Sequence, residues 1–347
     1  ILQSSTWEKR VQVSLDVPQA SSEAKRFTQE TFVFDCLSLF YVLDEPWAER
    51  CLQAGVNAAN VTFGTDQSWD DVHRNFDIGL EKIARSPYLA LATNRAQIDS
   101  AREHGRLAVI VGTQGSAMVD LDFHRLRTMH RLGLRYFGLA YTGATLFADG
   151  CGERRDAGLT FAGEELIDAA NELDLILDLS HAGHRARAEG AARARHPVCT
   201  HSNAYAVSAN DRNTKDETAR VIGKKGGVMG VCGLPRSVKA TDPTLNDMLD
   251  HGDHWIRTVG VENVGLGLDF TEGYKATKLL RHHTVRWRTL RPDIFGTVDD
   301  FLTQDYPRGL STILELANFT QGMFDRGYTS EQTAAVLGGN WLRHFTS

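Results

Sequence analysis

Eight times along the chain a short, β-rich apolar run ends in small or polar residues and gives way to a longer stretch with helical apolar spacing. The runs are Phe32 to Asp35, Val56 to Thr62, Leu107 to Gly112, Tyr136 to Tyr141, Leu175 to Ser180, Pro197 to His201, Gly227 to Cys232 and Val264 to Asp269. In the intervening stretches Leu126, Met129 and Leu132, and again Leu166, Ile167, Ala170 and Leu173, recur at the spacing of one helix face. Such alternation builds βα units, whose parallel strands are joined by right-handed crossovers. The units form either an open doubly wound sheet or a closed barrel. Eight of them favour closure, and the first strand leads into Asp35-Cys36-Leu37-Ser38 rather than a glycine-rich phosphate loop. The predicted fold is therefore an α/β protein, a (β/α)8 TIM-like barrel.

A barrel of this kind takes about 250 residues or more as one unit, so the 347 residues fit a single domain. Residues 1–30, polar and without sustained apolar period, read as an N-terminal extension or short helix, and 31–347 as the barrel domain. After the eighth run, Tyr274 to Asp305 is rich in Arg and His and reads as a loop or lid, with His282-His283 as a solvated pair. Gly309 to Phe345 reads as two closing helices, the second capped by Thr329-Ser330-Glu331-Gln332.

A net charge of −6 offers no basic footprint for nucleic acid and no polybasic membrane patch, which leaves small-molecule substrates. The five cysteines have no tight spacing, so neither a disulfide framework nor a zinc knuckle is implied, and a reducing compartment is the simpler reading. No apolar run reaches the roughly 18 to 20 residues of a membrane span, and no signal segment opens the chain. The expectation is a cytoplasmic protein, although a start at Ile1 rather than Met is compatible with a removed leader. A homodimer is expected only because soluble enzymes commonly form one.

In such barrels the active site lies at the carboxyl ends of the strands. Those ends carry Asp35, Gln114, Tyr141, His181, His201 and Asp269, with Arg212 in the loop after His201. Two histidines on adjacent strand ends can share a divalent metal, zinc being the usual partner of nitrogen-rich sites. Asp269 could join them or deprotonate a water. Arg212 offers a planar fork for a carboxylate. Each also has a structural reading: a hydrogen-bonded strand-end His, or an Arg paired with Asp211 or Asp216. Asp178, inside its run, reads as structural.

Gly158-Leu159-Thr160, Leu177-Asp178-Leu179-Ser180-His181, His201-Ser202-Asn203-Ala204, Arg212-Asn213-Thr214, Val264-Gly265-Leu266-Gly267-Leu268-Asp269-Phe270 and Gly339-Asn340-Trp341-Leu342-Arg343 together resemble the membrane (renal) dipeptidase family of zinc peptidases. The resemblance extends over nearly the whole chain from about Phe32. It implies a barrel of the metallo-dependent hydrolase type with a two-zinc centre bridged by a Glu. By motif, His181 and His201 match the histidines of one zinc, Arg212 the residue that holds the substrate carboxylate, and Asp269 the acid that handles the attacking water.

The other half of that centre is missing. Where the family has Asp-Gly-His-Asn-Asp, this chain has Asp35-Cys36-Leu37-Ser38-Leu39. Gln114 stands at the bridging Glu, and Tyr141 at a substrate-contacting His. A neutral amide lacks the charge that holds two divalent cations together. The resemblance thus implies a divergent member with one zinc ion at most, or none, in which Cys151 or Glu153 could replace a lost ligand.

Three functions remain open on the sequence. The leading one is a dipeptidase-like hydrolase acting on a small dipeptide-like or N-acyl amino acid substrate, with Asp269 and Tyr141 catalytic and Arg212, Tyr141 and Gln114 binding. The second keeps the pocket for metal-free proton transfer, elimination or epimerisation, on an amino-acid-derived substrate. The third is a non-catalytic carboxylate-binding homologue.

Overall fold

The computed structural model describes residues 17–277, 282–303 and 306–345. Its strands are β1 (Val33–Ser38), β2 (Val56–Gly64), β3 (Leu89–Leu91), β4 (Leu107–Thr113), β5 (Leu134–Gly138), β6 (Ile176–Asp178), β7 (Pro197–Val198), β8 (Met229–Val231) and β9 (Val264–Leu266). All pairings are parallel, in the order β7-β6-β5-β4-β2-β1-β9-β8. A parallel bridge between Cys199 and Met229 joins the two ends of that order. Through it Gly230 N–H donates to Cys199 O at 2.7 Å, and the ring of eight strands closes. The fold is the expected (β/α)8 barrel.

Strand β3 lies off the ring. It pairs with residues 107–109 of β4, below the point at which β5 takes over the same edge at Val111. Its three residues carry no sequence period, so it has no counterpart among the eight runs.

Side-chain alternation sorts the strands into two environments. In β4, Leu107, Val109 and Val111 pack outward with the core under the helices, whereas Ala108 and Ile110 join a second cluster with Phe34, Cys36, Ala58, Tyr136, Ile176, Val198, Val228 and Trp341. This second set fills the barrel's interior, as layered side chains do in this architecture. Further along several inward rows the residues become polar: Asn60 and Thr62 on β2, Gln114 just past β4, Asp178 on β6 and Thr200 just past β7, all buried. The alternation that builds the core therefore delivers polar groups to the barrel's mouth.

The resemblance motifs near the end of the chain form one packing unit. A Cβ on Gly265 would lie 2.2 Å from the Trp341 indole nitrogen, which donates to Leu266 O at 2.9 Å. Glycine is needed there because the Trp341 ring occupies the space.

The described part of the N-terminal region contains a helix, Ser22–Glu30, whose Ser21 hydroxyl caps Ala24 N–H; residues 1–16 lie outside the described ones. The Thr329 capping box with Gln332 is present. The region read as a loop or lid is instead mostly helical, with Glu272–Thr277, His282–Leu290, Pro292–Phe295 and Val298–Thr303. The side chains of His282 and His283 lie outside the described residues. Among the described residues no helix is long and apolar enough to cross a membrane.

Candidate active site

The inward rows end in a hydrogen-bond network that fixes one histidine. Asp178 accepts from Ser180 N–H at 3.0 Å and Ser180 Oγ at 2.6 Å, and from Thr200 N–H at 3.0 Å and Thr200 Oγ1 at 2.7 Å. Its carboxylate ties two strand ends together, the structural role read from the sequence. Because the Thr200 hydroxyl gives its proton to Asp178, it accepts from His201 Nδ1, which lies 2.6 Å away. That assigns the Nδ1–H tautomer and leaves the Nε2 lone pair for the site. Desolvation, with Arg212 and Arg187 nearby, holds the His201 pKa well below its ordinary value, so the ring is neutral.

His201 Nε2 faces His181 Nε2 at 3.1 Å, and the Tyr141 ring lies against His181 with centroids 4.2 Å apart. Burial raises the Tyr141 pKa well above its usual range, keeping the phenol a proton donor. Asp269 stands beyond β9 in the left-handed region at φ 56°, with its N–H donating to Leu37 O at 3.1 Å and its carbonyl accepting from the Tyr306 hydroxyl. Desolvation pushes its carboxyl up to about 7, with Arg212 and Arg288 opposing and Asp35 adding to the shift. Asp35 itself is raised to about 6 by desolvation, and its oxygens accept from Ser38 Oγ, Leu37 N–H and Leu268 N–H.

Gln114, Tyr141, His181 and Asp269 border one cavity of 110 Å³. The Gln114 amide donates to Thr62 Oγ1 at 2.8 Å. Arg212 is buried behind this group, near enough to influence the titration of Tyr141, His201 and Asp269. Its Nη1 donates to Ser180 O, while Nε and Nη2 have no hydrogen-bond partner among the described residues. Arg187 holds the loop that carries it. Completely buried, Arg187 donates to Leu179 O, Ser180 O and Ala182 O on one side, and to Arg212 O, Asn213 O and Thr214 Oγ1 on the other.

The donor set does not fit the centre implied by the resemblance. Two nitrogens on one tetrahedral zinc would lie about 3.3 Å apart, so the two histidines are suitably spaced, but catalytic zinc usually has three protein ligands. Among the described residues no three His, Cys, Asp or Glu side chains gather as a metal site. Neither proposed replacement completes such a group among the described residues, although Cys151 N–H donates to His181 O at 2.8 Å. Glu153 accepts from Arg154 N–H at 2.8 Å, and Cys151 packs with Cys232, Leu234, Ile294 and Phe295, where desolvation raises its thiol pKa.

Several contributors escaped the sequence reading. Thr200 follows the inward alternation Val198, Thr200 and was findable from it. Arg187 was not, since an arginine within a helix ordinarily faces solvent. Trp287 and Arg288 come from the region after the eighth run and line the cavity.

Comparisons with known proteins bear on the family and the fold. The family described as membrane dipeptidase (peptidase family M19) matches residues 27–286. Dipeptidase aclJ of Aspergillus oryzae is 27% identical over 282 residues, covering 79% of this chain and 60% of its own length. The chain thus spans less than two thirds of that relative. An amidohydrolase structure from Pseudomonas aeruginosa superposes with a TM-score of 0.81 at 24% identity, covering 93% of this chain and 98% of that one. A metallopeptidase from Rhodobacter sphaeroides, solved with a phosphinate mimic of the dipeptide L-Ala-D-Ala, gives 0.70 at 21% identity, with 91% and 99% covered. At these identities the structural likeness is one of fold.

Proposed function

The chain belongs to the membrane dipeptidase family, and from that premise we propose that it hydrolyses small peptide-like substrates bearing a free carboxylate, dipeptides or N-acyl amino acids. The observation that carries this reading is Arg212: a buried guanidinium with Nε and Nη2 unpartnered among the described residues, close to a carboxyl poised near neutrality. A buried, unmatched pair of N–H groups is costly, and a carboxylate ligand would satisfy both in the bidentate geometry arginine favours.

With the substrate carboxylate on Arg212, ionised Asp269 takes a proton from water as its oxygen attacks the carbonyl carbon. A carboxyl titrating near 7 can both accept that proton and return it to the departing nitrogen, so the proton is conserved. Tyr141 donates a hydrogen bond to the oxygen on which charge develops. His201 accepts at Nε2 and steadies His181, against which Tyr141 lies. Since no three His, Cys, Asp or Glu side chains gather as a metal site among the described residues, no step is assigned to a metal.

A second reading, proton transfer at carbon by the same Asp269 and Tyr141, is favoured by that short donor set and the raised Asp269 pKa. A panel of dipeptides and N-acyl amino acids separates the two. Release of free amino acid, with KM at least tenfold higher in Arg212→Lys, supports hydrolysis. The tenfold follows from about 1.5–3 kcal/mol for charge-assisted hydrogen bonds. Absence of cleavage, with conversion of an amino-acid derivative that Tyr141→Phe abolishes, would replace hydrolysis by proton transfer.

A further inference from the structure

The cavity is lined by polar groups of the barrel mouth and by a set of apolar and aromatic side chains, several of them from the helical cover, which we call its floor and its roof. The floor is the barrel mouth, with Gln114, Tyr141, His181 and Asp269. Also lining it are Phe63 from β2, Leu234 from the loop after β8, and Trp287, Phe295 and Phe301 from the helical cover, together with polar Thr65, Gln67, Asn75 and Thr284. The roof is pre-set by close packing. Trp287 is seated on glycines of the loop after β5, since a Cβ on Gly143 or Gly152 would come within 2.8 or 3.0 Å of its ring. Phe63 is held by Gly79, where a Cβ would meet its ring at 2.4 Å, and by Phe40, whose centroid is 5.3 Å away in an edge-to-face arrangement.

The cation beside the roof is already engaged. Arg288 donates to Phe295 O, and its guanidinium lies over the Phe301 ring at 4.6 Å. It therefore adds a flat, cationic edge to an aromatic enclosure rather than a free anchor for a second carboxylate. The size sets a further limit. At 110 Å³ the cavity is of the same order as the roughly 150 Å³ apolar cavity that admits a benzene molecule. The whole cavity, barrel mouth included, thus leaves room for no more than one six-membered ring.

From this we propose that the roof is a chamber for a single aromatic ring, so that the preferred ligand carries a phenyl-sized group on the acyl side of the bond that faces the floor. The proposal deepens the hydrolase reading and rests on it for the orientation of the ligand, carboxylate inward and ring outward. Rigid aromatic walls lower the ordering cost of binding and give an aromatic guest edge and face contacts that a methyl group cannot make.

Titration calorimetry of the full chain with N-benzoylglycine, N-acetylglycine and N-succinylglycine tests it without requiring turnover. N-benzoylglycine is expected to bind at least tenfold more tightly than either of the others. Trp287→Ala and, separately, Phe295→Ala should bring its advantage over N-acetylglycine within about twofold, with most of the loss in N-benzoylglycine affinity. A smaller preference in the unaltered protein, preference for the acidic compound, binding of none, or a preference insensitive to both substitutions would overturn the proposal. If the ring preference holds and neither these compounds nor any of the dipeptide panel is cleaved, the hydrolase reading fails and the aromatic chamber stands.

Discussion

Asp269 sits where two requirements meet. To take a proton from water it must be ionised, yet desolvation favours its neutral form and lifts the carboxyl to about 7. The expected consequence is a kcat/KM that rises as pH climbs through about 7, measured as initial rates on one substrate from acid to mildly alkaline pH. Asp269→Asn should remove the rise together with at least a hundredfold of the rate, the scale of general base catalysis. An unchanged profile in that variant would assign the base elsewhere. The stability linkage runs the opposite way. The folded pKa is above the unfolded value of about 3.9, so this group's contribution is full below that pH and is lost as pH rises through about 7. At this scale the sequence was informative for polar residues at strand ends, because position alone puts His181, His201 and Asp269 at the mouth. It was silent on Arg187 and Arg288, whose burial depends on contacts made far along the chain.

Among the elements, the helix His184–Arg193 and the loop at Arg212 to Thr214 are joined by Arg187. Replacing it with Met would orphan several buried carbonyls at about 1–3 kcal/mol each. Arg187→Met is therefore expected to lower unfolding stability by at least about 3 kcal/mol in urea titration, and Arg187→Lys by less, with both raising KM through displacement of Arg212. A loss under about 1 kcal/mol would show that the loop is held by other contacts. Most elements were legible because strand and helix periods differ, and the eight apolar runs fall on the eight ring strands. The observed strands are often shorter than the runs, as in β7 with two residues, because the barrel mouth bends the chain into hydrogen-bonded turns around Asp178 and Thr200. The cover over the mouth was harder to read. In His282–Leu290 the apolar residues Val285, Trp287 and Leu290 do not share one face, so an amphipathic signal is absent although a helix forms.

At the scale of the whole molecule, strand pairing continues around the ring and is thinnest between β7 and β8, where the Cys199–Met229 bridge closes it. The helix Leu316–Asp325 packs back on Ser22–Glu30, and Trp341 reaches the barrel interior from the end of the chain. We propose on these contacts that residues 31–347 unfold as one unit. Coincident urea transitions by far-ultraviolet dichroism and tryptophan fluorescence are expected; two separated transitions would divide the domain.

We propose that this barrel keeps a carboxylate fork at Arg212 and an acid–base group at Asp269 around a donor set that, among the described residues, is too small for two metals. Elemental analysis of the full chain, purified without chelator, incubated with excess zinc and freed of loosely bound metal, tests that claim most directly. The expected result is at most one zinc ion per chain, and any that is retained should be lost in His181→Ala and His201→Ala. Two ions per chain would contradict it.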